Sequence, residues 1–418
     1  MEDLARSAVT IVLFFLILGG LVLIHELGHF VTARLANVRV LEFGVGFPPR
    51  AKILGIGKVS PQDVDRAARK REAALTAAGD DPYLRDAILD QEPEVPIGTV
   101  YSLNWLPIGG FVKLEGEDGD EADDPRSFAA ASLPVKLIIL AAGVFMNLLT
   151  AFLIFMFIAW LATPLTGLRF SEVDDSSPAQ AAGLRPGEAI LAVNGVQREF
   201  FGQGSVLTDL QEHVGDTVTL TVQRPDGTTH TVESTLRTQS EIDASPKDEA
   251  GRPTKGPLGI SGGDEGFQPV FYGTVSRDLP AAIVIAGEQT VYWFGLILGA
   301  LGDLVGGFVT NPTAAPQGVS GPVGIATQIG EIFFSAGPIL TLYVAGVLSA
   351  NLALVNSLPF PPLDGGRALM IVLKKLFGTR ISLRAERLTY VVGFVVLFAF
   401  LIWVTGFDIL RALNGSPL

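Results

Sequence analysis

The sequence contains no cysteine, which excludes disulfides and thiolate-held metals alike. It is poor in charge: Asp, Glu, Lys and Arg make up 17% of 418 residues, against about 25% in an ordinary soluble domain. Basic residues are scarcer than acidic ones, 30 to 43, and the net charge of -13 argues against nucleic acid as a partner. Histidine is rare too. There are four, and His25 and His29 lie one helical turn apart. What is abundant is apolar: 48% of residues are hydrophobic and the mean hydropathy is +0.42.

The apolar residues are clustered. Val9 to Ile24 is apolar or glycine except for Thr10, and apolar residues recur to Val31. Further runs occupy Leu137 to Leu161, about Ile339 to Leu358 and about Leu388 to Val404. Each reaches the roughly 20 residues that a helix needs to cross a bilayer, or comes close to it. A cleaved leader is the alternative for the first run, but no small-residue cleavage pattern follows it. Lysine and arginine set the orientation. Arg34, Arg39, Arg50, Lys52 and Lys58 follow the first run, and Arg367, Lys374, Lys375, Arg380, Arg384 and Arg387 follow the third. Both basic loops are therefore expected in the cytoplasm of an inner (plasma) membrane protein. Both termini and the segment between the second and third runs are expected outside.

Residues 37–132 hold two glycine-punctuated β-rich stretches, Val38 to Ile53 and Gly98 to Leu114, which look like hairpins lying against the membrane. A polar insert at 60–96, with Pro61 and Pro82 able to open short helices, reads as a solvated surface insertion. Glu115 to Arg126 reads as a solvated acidic loop. Residues 164–263 form a separate extracytoplasmic domain, with strand alternation around the Pro225-Asp226-Gly227 turn. Ala281 to Phe308 is apolar but carries Glu288 and Asp303. A crossing there would reverse the third run and break the charge pattern. Residues 264–336 are therefore expected to be interfacial or re-entrant helices. Four spans result: 1–36, 133–163, 337–366 and 387–412, with a cytoplasmic loop at 367–386.

The chemistry is concentrated in two motifs. HELGH places His25 and His29 on one helical face, where both can bind one metal. Glu26 beside them can take a proton from metal-bound water. Ionisable groups in an apolar span are costly and point to function. Catalytic zinc usually takes three protein ligands and one water. Asp364, in NSLPFPPLDGGR at the end of the third run, is the best third ligand. Pro359, Pro361 and Pro362 prevent a regular helix there, and Gly365 and Gly366 remove bulk beside it. The alternative is a helix-ending turn facing water.

HELGHF with NSLPFPPLDGG resembles the site-2 proteases, most closely the bacterial branch that cleaves anti-sigma factors. GFPP, GGFVKLEGE, AAGVFMN and SGPVGIA extend the likeness over nearly the whole chain. It implies a zinc metalloendopeptidase whose zinc ligands are His25, His29 and Asp364, with Glu26 as general base. It implies that Asn356 helps hold the substrate backbone and that the β-rich loop pairs with an unwound substrate. Asn147, in the Gly-x-x-x-Asn element of AAGVFMN, is either helix-packing glue or a substrate-binding residue. SPAQAAGLRPGEAILAVNG resembles a PDZ domain, present once where close relatives often have two. The expectation is thus an α-helical polytopic membrane protein with four transmembrane helices, a membrane-associated β-hairpin region and one inserted α+β PDZ domain. Its partners would be single-span membrane proteins such as anti-sigma factors, within a lipid bilayer. Two other classes stay open: a membrane zinc hydrolase acting on soluble loops, and a PDZ-bearing adaptor or metal carrier without protease activity.

Overall fold

The computed structural model describes residues 2–59, 98–117, 124–247, 253–263, 266–310, 320–378 and 383–413, with a few positions between 72 and 79. The insert expected at 60–96 lies almost wholly outside the described residues. Two compact units emerge, one of Met1–Phe152, Thr290–Ile332 and Val344–Leu418, the other of Leu153–Gln289 and Phe333–Tyr343.

The first unit opens with α1 (Glu2–Leu35), followed by strands β1 (Val40–Ile56) and β2 (Val100–Leu114) and by helix α2 (Leu133–Leu161). β1 and β2 form one antiparallel sheet. Phe43 is paired with both Val112 and Tyr101, and Val45 with both Gly110 and Leu103, while Arg50 to Ile56 face Asn104 to Val100. A residue with partners on both sides sits inside a sheet. The start of β1 is therefore flanked by two parts of β2, and the two stretches expected as hairpins interleave. Gly46 (φ 80°) and Gly109 (φ 74°) take conformations that disfavour a Cβ where the strands double back. A core of Ala33, Val40, Leu114, Phe128, Ile139 and Leu140 joins α1, this sheet and α2. The loop expected to be solvated, Glu115 to Arg126, is buried near both ends: Glu115 and Asp124 are buried, and Arg39 pairs with Glu115 at 3.1 Å.

The later helices are α6 (Leu279–Thr310), α7 (Pro322–Ser357), α8 (Asp364–Phe377) and α9 (Leu383–Leu413), numbered after three short helices, α3 to α5, of the second unit. α7 is two helices joined at Gly337 (φ 82°), where Pro338 cannot donate to the preceding turn. The part from Pro338 onward corresponds to the third expected span. α6 covers the stretch expected as an interfacial or re-entrant helix. It is one continuous helix of 32 residues, and Leu279–Leu304 is long and apolar enough to cross a membrane. Among the described residues five helices, α1, α2, α6, α7 and α9, meet that standard, where four spans were expected. Glu288 and Asp303 do not interrupt α6, because charged residues cost little helix propensity. Outward-facing side chains fit a lipid solvent: Leu16 is 68% exposed, Phe145 59% and Phe398 55%. An apolar surface of that extent is not stable in water.

In the second unit a six-stranded sheet runs in the order β10-β3-β6-β5-β7-β8. Its strands are β3 (Thr163–Arg169), β5 (Ala189–Val193), β6 (Val196–Glu199), β7 (Thr217–Gln223), β8 (Thr229–Thr235) and β10 (Gln268–Val275). β4 (Glu172–Val173) and β9 (Ile260–Ser261) make a two-stranded pair. The helices are α3 (Pro178–Ala181), α4 (Val206–Glu212) and α5 (Gln239–Asp243). Asn194 and Gly195 both have positive φ, which suits the two-residue turn between β5 and β6. The alternating burial of β7 sends Val218, Leu220 and Val222 into a core with Phe170, Ile190 and Leu210. β10 corrects the sequence reading, which gave that segment to interfacial helices. It pairs with β3 from Val275↔Thr163 to Gln268↔Arg169 and completes the sheet.

Candidate metal centre

HELGH lies within α1, so His25 and His29 project from one face, each less than a tenth exposed. Their Nε2 atoms are 3.1 Å apart. Asp364 is the first residue of α8, and its Oδ2 is 2.9 Å from His25 Nε2 and 3.2 Å from His29 Nε2. Three donor atoms from segments 339 residues apart thus form a near-equilateral triangle. Tetrahedral ligands about 2.0–2.2 Å from zinc would stand about 3.3–3.6 Å from each other. The observed triangle is a few tenths of an ångström tighter, and its donor set of two imidazoles and a carboxylate suits zinc. Among the described residues this is the one such cluster.

The backbone explains how the three meet. A Cβ on Gly365 would strike the carbonyl oxygens of Ser357 and Leu358, and one on Gly366 would strike Phe360. Only glycine lets α8 start so close under the end of α7. On α2, a Cβ at Gly143 would collide with the imidazoles of both His25 and His29. Gly28 faces the Ala142 carbonyl with equally little room. The first residue of the Gly-x-x-x-Asn element is thus the one that admits the histidines.

Each histidine has a partner on its other nitrogen. His29 Nδ1 donates to the Ile139 carbonyl at 2.8 Å, which leaves Nε2 free of a proton for a metal. His25 Nδ1 faces the Asn147 amide at 3.3 Å. Asn147 is fully buried and its Oδ1 has no hydrogen-bond partner. Ser349 on α7 donates to the Asn147 carbonyl at 2.7 Å and ties the two helices together there.

Glu26, His29 and Asp364 line a cavity of about 180 Å³, together with Gly110–Val112 and Leu114 of β2. Two further lining residues, Glu117 and Arg367, form an ion pair. Burial works against the Arg367 charge, yet the surrounding anionic groups, Glu117 foremost, hold its proton more tightly than in an ordinary arginine. Sequence reading missed the pair, because nothing local links residues 250 apart. Asn356 is half-buried in the last turn of α7 and does not line the cavity.

A helix-borne HExxH motif that shares one point with a distant Asp, among helices of membrane-spanning length, defines a membrane metallopeptidase. The model for peptidase family M50 matches residues 13–58 and 94–400, so the chain belongs to that zinc-dependent family and is a metalloendopeptidase of the site-2 type. It is an integral membrane protein. Among curated relatives, the zinc metalloprotease RasP of Geobacillus kaustophilus is 25% identical, with 96% of this chain and 97% of that protein covered. RasP of Shouchella clausii is 24% identical at 96% and 98% coverage. The regulator of sigma-W protease RasP of Bacillus subtilis is also 24% identical, again at 96% and 98%.

Proposed function

We propose that this chain is an intramembrane endopeptidase that cuts the transmembrane segments of single-span proteins. In this reading His25, His29 and Asp364 hold the zinc and Glu26 is the general base. The observation that carries it is the triangle of three donor atoms, 2.9–3.2 Å on a side, at the end of a cavity that Glu26 also lines. Zinc, when bound, polarises the scissile carbonyl and lowers the pKa of its water. Glu26 takes a proton from the attacking water and passes it to the leaving amine.

A helical substrate must unwind first, since its peptide groups are otherwise engaged within the helix. Gly110–Leu114 supports a way to hold it. This stretch lines the cavity and, among the described residues, pairs on one side only, with Val40–Val45. An extended peptide can add to such an edge through main-chain hydrogen bonds. Asn356, eight residues before Asp364, would help hold the substrate backbone, as the family likeness implies. The name of the Bacillus subtilis relative favours anti-sigma factors as substrates. The six-stranded domain, with its capped Ser-Pro-Ala-Gln turn at Ser177–Gln180, supports the PDZ reading and would lie outside the membrane, screening substrates by their soluble parts.

Positive-inside counting and parity still favour four crossings, with α6 at the interface, because a fifth would reverse α7 and put Asp364 on the opposite side of the membrane from His25. Glu26→Gln tests the proposal. Cleavage of a single-span substrate should fall by several orders of magnitude while zinc content stays near that of the parent. Undiminished cleavage would contradict it.

A further inference from the structure

A second cavity, of about 470 Å³, shares Glu117, Phe128 and Arg367 with the metal cavity. Its walls come from Gly116, Glu117 and the residues just before α2, the first turn of α2, α8 from Arg367 to Lys375 and the first two turns of α9. Four cations line it, Lys136, Arg367, Lys374 and Lys375, against two carboxylates, Glu117 and Glu386. Both carboxylates are engaged, Glu117 by Arg367 and Glu386 by Lys374 at 2.5 Å. Among the described residues no carboxylate balances Lys136 or Lys375.

The hydrogen-bond and ring partners of Lys136 are neutral. Its Nζ donates to the Ala129 carbonyl at 2.7 Å and stands 5.9 Å from the centre of the Phe128 ring. Lys374 is close enough to repel it. A half-buried ammonium with one carbonyl acceptor keeps two N–H groups unused. A compact anion with several oxygens would satisfy them and relieve the repulsion.

The setting indicates where that anion comes from. The cavity opens at the ends of helices whose neighbouring outward side chains are apolar. Ile138 on α2 is 61% exposed, Leu376 on α8 71% and Leu388 on α9 62%. Acyl chains would run along such surfaces while the headgroup stays among the lysines. Basic pockets between helices at the cytoplasmic leaflet are suited to anionic headgroups. We infer that this cavity binds the phosphate headgroup of an anionic membrane phospholipid. Assignment to the cytoplasmic leaflet rests on the topology proposed above. The preference for a phosphate anion rests on the cavity alone.

The experiment is a binding titration of the full-length, zinc-loaded protein in detergent by native mass spectrometry. The probes are dioctanoyl-phosphatidylglycerol, dioctanoyl-phosphatidylcholine and inorganic phosphate. Phosphatidylglycerol should bind saturably, at least about tenfold more tightly than phosphatidylcholine. Inorganic phosphate, without acyl chains, should compete only weakly. Lys136→Gln with Lys375→Gln should weaken phosphatidylglycerol binding by about tenfold or more, while Lys136→Arg with Lys375→Arg retains it. Equal binding of the two lipids, or undiminished binding by the glutamine variant, overturns the inference. Phosphate binding as tight as the lipid's overturns the lipid source. Should the glutamine variant lose its zinc and fold, the lipid ratio of the parent and of the arginine variant decides.

Discussion

At the scale of single residues, Asn147 shows how the site depends on groups that never touch the reacting atoms. A histidine that binds metal through Nε2 carries its proton on Nδ1, and that proton needs an acceptor. His25 Nδ1 faces only the Asn147 amide, whose Oδ1 is buried without a partner as placed. Turning the amide over brings Oδ1 to the imidazole N–H, since amide O and N are assigned from such networks. In that arrangement Asn147 would act as a positioning residue for His25, a third role beside the helix packing and substrate binding that the sequence left open. Asn147→Ala should weaken zinc binding by about 10–100-fold, read by competition with a chelator, and Asn147→Asp should retain most of it. Equal affinity in Asn147→Ala would return the residue to a packing role. The Ala substitution leaves room for water, so a collapse of the fold is not expected to mask the result.

HELGH and LDGG were legible because costly groups stood in apolar surroundings, where each demanded a reason. Glu117 and Arg367 were not. Each sits in a polar stretch, where a charge needs no explanation until the fold joins them.

At the scale of elements, the long apolar helices followed directly from run length. The exceptions have physical causes. α6 holds two acids and several glycines, a composition equally compatible with lying on a membrane and crossing it. β10 follows a polar, glycine-rich loop, so only its pairing with β3 makes it a strand. The interleaving of β1 and β2 could not be read, because register between distant strands leaves no mark within either one. Asp408 is another contact between elements that the sequence hides. It is fully buried on α9 and accepts from the Gly324 N–H at 2.8 Å, in the first turn of α7. A carboxylate there satisfies an amide that the helix itself leaves open and complements the helix dipole. Asp408→Ala should lower stability by about 1–3 kcal/mol, measured by thermal unfolding in detergent. An unchanged midpoint would show the contact to be dispensable.

At the scale of the whole molecule, the proposed orientation of the helices rests on charge placement. The lack of native cysteine makes that orientation easy to test. A thiol introduced as Asp226→Cys, in the β7–β8 turn, should react with a membrane-impermeant maleimide on intact cells. A thiol introduced as Arg384→Cys, at the start of α9, should react only after permeabilisation. The opposite pattern would invert the topology, and labelling of both from outside would require an odd number of further crossings.

The central claim is that His25, His29 and Asp364 share one zinc ion. Its most direct measurement is zinc stoichiometry and affinity in purified full-length protein. The parent and Glu26→Gln should each hold one zinc per chain, and His25→Ala, His29→Ala and Asp364→Ala should each lose it or bind it far more weakly. Parental zinc affinity in Asp364→Ala would contradict the account, because the triangle would then not be the metal site.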